Sequence, residues 1–134
     1  MAGERERLGD AAVMERRFAP DEDAPRAARA LVTECASGLD DTAAANLYLA
    51  VSELVTNAVV HGPGQAITVR CARHANKVRL EVCDLGTTGF DWPEGSAADG
   101  ERPHGLEVVE AFTDRHGVEI AHYTVVWCEL DLDY

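Results

Sequence analysis

The sequence predicts an α+β fold, a two-layer sandwich in which a mixed sheet is covered on one face by helices. Three observations carry this prediction. Two helical patterns are grouped between residues 21 and 60, and the alternating patterns cluster later, between residues 66 and 132. Helices and strands segregated along a chain in this way pack as separate layers. The third observation is size: 134 residues, 46% of them hydrophobic, suffice for one domain with its own core.

The elements follow in order. Residues 1–12 are charged and small and are expected to be a flexible N-terminal arm, leaving a single domain over residues 13–134. Val13–Ala19 is expected to be a short edge strand. Asp21, Glu22 and Asp23 stand before Pro25, where a helix start favours acids and proline. That helix runs to about Ser37, with Gly38 as its stop. Asp40 or Asp41 caps a second helix that runs to about Val60. Its Leu47, Ala50, Val51, Leu54, Val55 and Ala58 form a broad apolar face, while Asn46, Glu53, Asn57 and His61 keep polar atoms on a narrow stripe. Ala66–Ala72 and Val78–Cys83 alternate with period two and read as strands joined by a turn at residues 74–77. Residues 84–103 read as a loop rich in glycine and proline, and loops of that length are usually functional or mobile. Gly105–Phe112 is a short helix. Val118–Ala121 and Thr124–Leu132 close the chain as a hairpin, with Val126, Cys128, Leu130 and Leu132 on one face.

Charge excludes some function classes. The net charge is -12, and from Glu81 onward the only bases are Arg102 and Arg115. Such a chain offers no basic footprint for direct contact with nucleic acid and no attraction to an anionic membrane. It favours partners with a basic patch. Cys35, Cys71, Cys83 and Cys128 form no C-x-x-C pair and no zinc-finger spacing. No secretory leader pattern opens the sequence, and no apolar run is expected to approach the ~18 residues of a membrane span. The expectation is a soluble, reduced, cytoplasmic protein.

Three segments have chemical potential. Glu53, Asn57 and His61 are spaced by four and line one helix face. A carboxamide oxygen suits a hard cation, and a carboxylate one turn away can take a proton or orient a nucleophile. Asp84 follows an alternating strand and precedes Gly86 and Gly89, so it can present an acceptor to a ligand amino group. Gly105 opens a helix after the long loop, where free N–H groups suit phosphate. Taken singly, the first two read sooner as a solvated stripe and a plain turn, and the third can be an ordinary helix entry.

Together and in this order, the segments resemble the asparagine box and the two glycine boxes of the GHKL (Bergerat-fold) ATP-binding superfamily. The likeness is closest to the stand-alone, anti-sigma-factor-like serine/threonine kinases and related actinobacterial regulatory ATP-binding proteins. It covers about residues 20–132. Residues 53–62, Glu-Leu-Val-Thr-Asn-Ala-Val-Val-His-Gly, carry most of it, and the tail Val109–Leu132, with Thr124–Leu130 within it, is similar to the family's closing strands. The resemblance implies an Mg-ATP-binding regulator, a serine/threonine protein kinase acting as an anti-sigma-type transcription regulator. Asn57 would ligate Mg²⁺, and Glu53 would be the general base or would orient the attacking hydroxyl. Asp84, helped by Gly86, Gly89 and Thr124, would read adenine. Gly105, the backbone of Leu106 and Arg102 would hold phosphate, and residues 87–104 would form a lid. A sigma-factor-like or anti-anti-sigma (STAS-type) protein would be the partner, and homodimer pairing is implied as well.

The sequence also departs from the family pattern. Pro103 stands where the phosphate box has its first glycine, removing an N–H, and Arg102 is the lone base among the acids of the lid. The alternative reading is therefore a catalytically weak or inactive ATP-binding module that sequesters such a partner. A P-loop is absent, Lys77 being the sole lysine, and a receiver domain's early acidic pair and late lysine are missing.

Overall fold

The computed structural model describes residues 5–8, 11–61, 66–74, 76–84, 106–120 and 123–132. The elements in chain order are β1 (Arg5–Leu8), β2 (Ala11–Phe18), α1 (Ala24–Cys35), α2 (Asp41–His61), β3 (Ile67–His74), β4 (Lys77–Asp84), α3 (Leu106–Phe112), β5 (Arg115–Ile120) and β6 (Thr124–Asp131). The strands form one sheet in the order β1-β2-β3-β4-β6-β5, with the helices layered on one face.

Two expectations need correction. The sheet is not mixed, because every described pair is antiparallel. The crossover from β4 through α3 brings β5 back in the direction of β4, but β6 inserts between the two, so no parallel pair forms. Within the expected arm, Arg5–Leu8 is a strand. It pairs with β2, Leu8 opposite Ala11. The outer strand is therefore β1, and β2 lies inside the sheet rather than at its edge.

Local signals set the helix boundaries. Pro25 sits in the first turn of α1, where its missing N–H has no helical partner to lose. Gly38 ends the run with φ +87°, a conformation that glycine adopts without strain. Asp40, rather than Asp41, caps α2: its Oδ1 accepts the Ala43 N–H at 2.8 Å. Over Asp41–Val60, α2 has the length and mean hydropathy, 1.3, of a membrane span, contrary to the expectation that no stretch approaches one. The described structure packs that helix against the sheet and α1. Leu47, Val51, Leu54 and Val55 are buried there with Leu31 and Val32 of α1, Ile67 and Val69 of β3, Leu80 of β4, Val109 of α3 and Cys128 of β6. Each fully buried side chain of this kind contributes about 1.5–3 kcal/mol.

The opposite sheet face is charged and paired. Arg79 donates from Nε to Glu81 at 2.7 Å and from Nη1 to Glu129 at 3.1 Å, and Arg115 Nε reaches Glu129 at 2.7 Å. Arg115 first, then Arg79, holds the Glu129 carboxyl below its ordinary range. Arg79 stacks over Trp127, 4.2 Å from the ring centroid, so Trp127 belongs to this face and not to the core. Gly117 lies opposite it in β5, where a Cβ would come within 2.9 Å of the indole.

Burial governs the thiols. Burial raises Cys128 to about 12, and Cys83 likewise to about 12. A hydrogen bond with Cys35, followed by burial, raises Cys71. Below pH 9 folded and unfolded chains both keep these thiols protonated, and the contribution is intact. Above pH 9 the unfolded chain loses the Cys128 proton while the folded chain keeps it. Stability should therefore fall with pH between about 9 and 12, by about 1.4 kcal/mol per pH unit for Cys128. Urea unfolding at pH 8, 9 and 10 checks this. A thiol-reactive dye should label the native chain slowly at pH 8 and all four cysteines after denaturation.

Candidate functional site

The site begins on α2. Its apolar stripe is turned to the core, which fixes the rotation of the helix and leaves Asn46, Ala50, Glu53 and Asn57 along one flank of that stripe. Glu53 and Asn57 are both partly buried. The rotation is pinned from α1 as well, where Arg29 Nη1 donates to Ser52 Oγ at 3.2 Å, one residue before Glu53.

The Asn57 side chain has a particular chemical property. Its Nδ2 is buried without a hydrogen-bond partner, and it is the only such side-chain atom among the described residues. Leaving a buried amide donor unpaired costs about 1–3 kcal/mol. A half-turn of the carboxamide brings Oδ1 to the same buried position. An oxygen presented there is the hard donor that Mg²⁺ takes from protein, the rest of its shell coming from water and phosphate. Among the described residues no three His, Cys, Asp or Glu side chains converge on a metal position, so a cation here would depend on Asn57. The residues present fit that role.

The second part of the site comes from the sheet. Asp84 is the last residue of β4 rather than lying just beyond it, and the register pairs it with Ile67 on one side and Thr124 on the other. Alternation puts Asp84 on the helix-covered face with Val78, Leu80 and Val82. Thr124 shares that face and is 2% exposed. Both residues have partners within the structure. The row also lies at the C-terminal end of α2. Only residues 62–66 separate His61 from Ile67, a reach of at most about 22 Å.

The structure therefore brings Glu53, Asn57, Asp84 and Thr124 to one end of the sandwich. Leu106 opens α3. Gly86, Gly89, Arg102 and Gly105 lie outside the described residues, as do the expected lid and Pro103. Sequence reasoning missed Ile67 as the other neighbour of Asp84. Alternation in β3 marks Ile67 as inward-facing, but only the register places it beside Asp84. It also missed Arg29, for which no local signal exists.

The family model of the histidine kinase-like ATPase domain matches residues 18–128. The fold is similar to the crystal structure of the RsbU and RsbW domains of a Mycobacterium tuberculosis protein, with a TM-score of 0.65 and 23% identity. That match covers 88% of this chain and 31% of the other; at this identity it speaks for the fold. No curated protein matches the chain.

The orphaned amide makes a prediction that is independent of any ligand. Asn57→Leu, with the same branched heavy-atom skeleton and no polar head, should raise the unfolding free energy of the ligand-free chain by about 1 kcal/mol. Urea titration measures it. A loss of stability would mean that the amide is satisfied within the fold.

Proposed function

The chain belongs to the histidine kinase-like ATPase domain family, and on that basis we propose that it is an Mg-ATP-binding regulator, a serine/threonine protein kinase of the anti-sigma type. The observation that carries the reading is the buried, unpartnered amide of Asn57, one turn beyond Glu53 and at the same end of the fold as the Asp84–Thr124 pair.

Each residue has a task in this reading. Asp84 accepts a hydrogen bond from the adenine amino group, and Thr124 flanks it. Asn57 holds Mg²⁺, which when bound neutralises phosphate charge. Glu53 orients the hydroxyl of an incoming serine or accepts its proton, on the same helix flank as Asn57. The backbone of Gly105 and Leu106, with Gly86, Gly89 and Arg102, completes the nucleotide contacts; the support for these is the sequence resemblance. The partner is a sigma-factor-like or anti-anti-sigma (STAS-type) protein, and the chain works in the cytoplasm, with homodimer pairing as its assembly.

Asp84→Asn replaces one acceptor with a donor. A charge-assisted hydrogen bond is worth about 1.5–3 kcal/mol, so ATP affinity should fall roughly ten- to a hundredfold. Calorimetry with ATP and GTP measures this, and equal wild-type affinity for the two nucleotides would remove Asp84 from adenine reading.

Glu53→Ala should lower phosphate transfer to a serine-bearing partner by about 10²–10⁴-fold, with ATP affinity kept within a few-fold. Single-turnover assays with labelled ATP decide the matter. A wild type that binds ATP yet neither transfers nor hydrolyses it would replace the kinase with a sequestering module, the outcome that Pro103 in the phosphate box favours.

A further inference from the structure

A cavity of about 490 Å³ lies at the other end of α2 from Glu53 and Asn57. Asn46 lines it, eleven residues before Asn57, or about 16 Å along the helix axis. The buried side chains Leu130 and Leu132 also line it, as does Phe112, which is 46% exposed. The cavity further includes Asp40 and Asp114, and among the described residues no lysine or arginine lines it.

Both carboxylates are held in place by backbone. Asp40 Oδ1 accepts the Ala43 N–H, and Asp114 Oδ2 accepts the Asp131 N–H at 2.6 Å. Neither has a cationic partner among the described residues. Asp131, which also lines the cavity, differs in this respect: Arg115 already holds it, with Nη1 3.3 Å from Oδ2.

We propose that this cavity docks an arginine-bearing segment of a partner protein. The guanidinium is a flat cation that stacks on an aromatic face and forks onto carboxylates. Its aliphatic stem packs on leucine. The acceptors are fixed before binding, so little ordering is lost when they engage. The volume is in the range of sites that enclose whole small ligands, which gives room for more than one side chain and favours a segment over a free ion. The net charge of -12 attracts such a segment from a distance. None of these residues belongs to the nucleotide reading, and the inference does not rest on it.

The test is fluorescence anisotropy of a labelled tri-arginine peptide on the full chain at physiological ionic strength. Saturable binding that weakens with salt is expected. Asp40→Asn/Asp114→Asn keeps an acceptor for each backbone N–H and should weaken binding roughly fivefold. Phe112→Ala should weaken it about threefold. Glu22→Gln/Glu34→Gln removes the same charge from exposed positions elsewhere and should leave it unchanged. Urea unfolding verifies that each variant is folded. The proposal is overturned if Asp40→Asn/Asp114→Asn binds like wild type, or if Glu22→Gln/Glu34→Gln loses as much. It is also overturned if argininamide binds as tightly as the peptide. Mg-ATP titration of the same samples separates this result from the fate of the nucleotide site.

Discussion

The packing of one face of α2 against the sheet is the constraint on which the rest of the structure depends. Leu47, Val51, Leu54 and Val55 cannot leave that interface without exposing a large part of the core. Once they are buried, the rotation of a 21-residue helix is fixed along its whole length. The polar flank therefore has no freedom. Asn46, Glu53 and Asn57 lie where the apolar stripe ends, half in and half out of the protein. A side chain in that position can be desolvated enough to interact strongly and still be reached by a ligand. The orphaned amide of Asn57 is a cost the fold carries in return for that placement.

Much of this was legible in the sequence. The α2 pattern was long and largely apolar, with a broad apolar face and a narrow polar stripe, so its extent and both faces could be read directly. Strands β3, β4 and β6 were visible because their alternation matches a sheet with one covered face. The neighbours of Asp84 were not visible. A strand pattern gives the face of each residue but leaves the partner across the ladder open, and the Ile67–Asp84–Thr124 row follows from register alone. β1 was missed because Arg5–Leu8 is short and charged, and its strand state comes from pairing with β2. The all-antiparallel sheet was missed for a similar reason: local patterns do not tell that β6 enters between β4 and β5.

The charge asymmetry of the sequence also acquires a structural meaning. The acids of the C-terminal part look unbalanced when read along the chain. In space, Glu129 lies between Arg115 and Arg79, and Glu81 shares Arg79. The arginine from β4 thus serves carboxylates of its own strand and of β6, and it covers Trp127 on the open face. That face is ordered by pairs whose individual worth is small at exposed positions. Its order rests on the network and on the indole fitted against Gly117.

The place of β6 sets the order in which the molecule can be completed. It follows all the other described strands in the chain, yet it lies between two of them. During synthesis β4 and β5 emerge with facing edges that have no partner until β6 arrives. Loop closure makes such non-local pairing slow, and unpaired edges on a growing chain invite wrong contacts. Thr124 reaches Asp84 only at that last step. A chain stopped short of β6 would lack Thr124 beside Asp84 and part of the core that holds α2, so assembly of the site coincides with completion of the sheet.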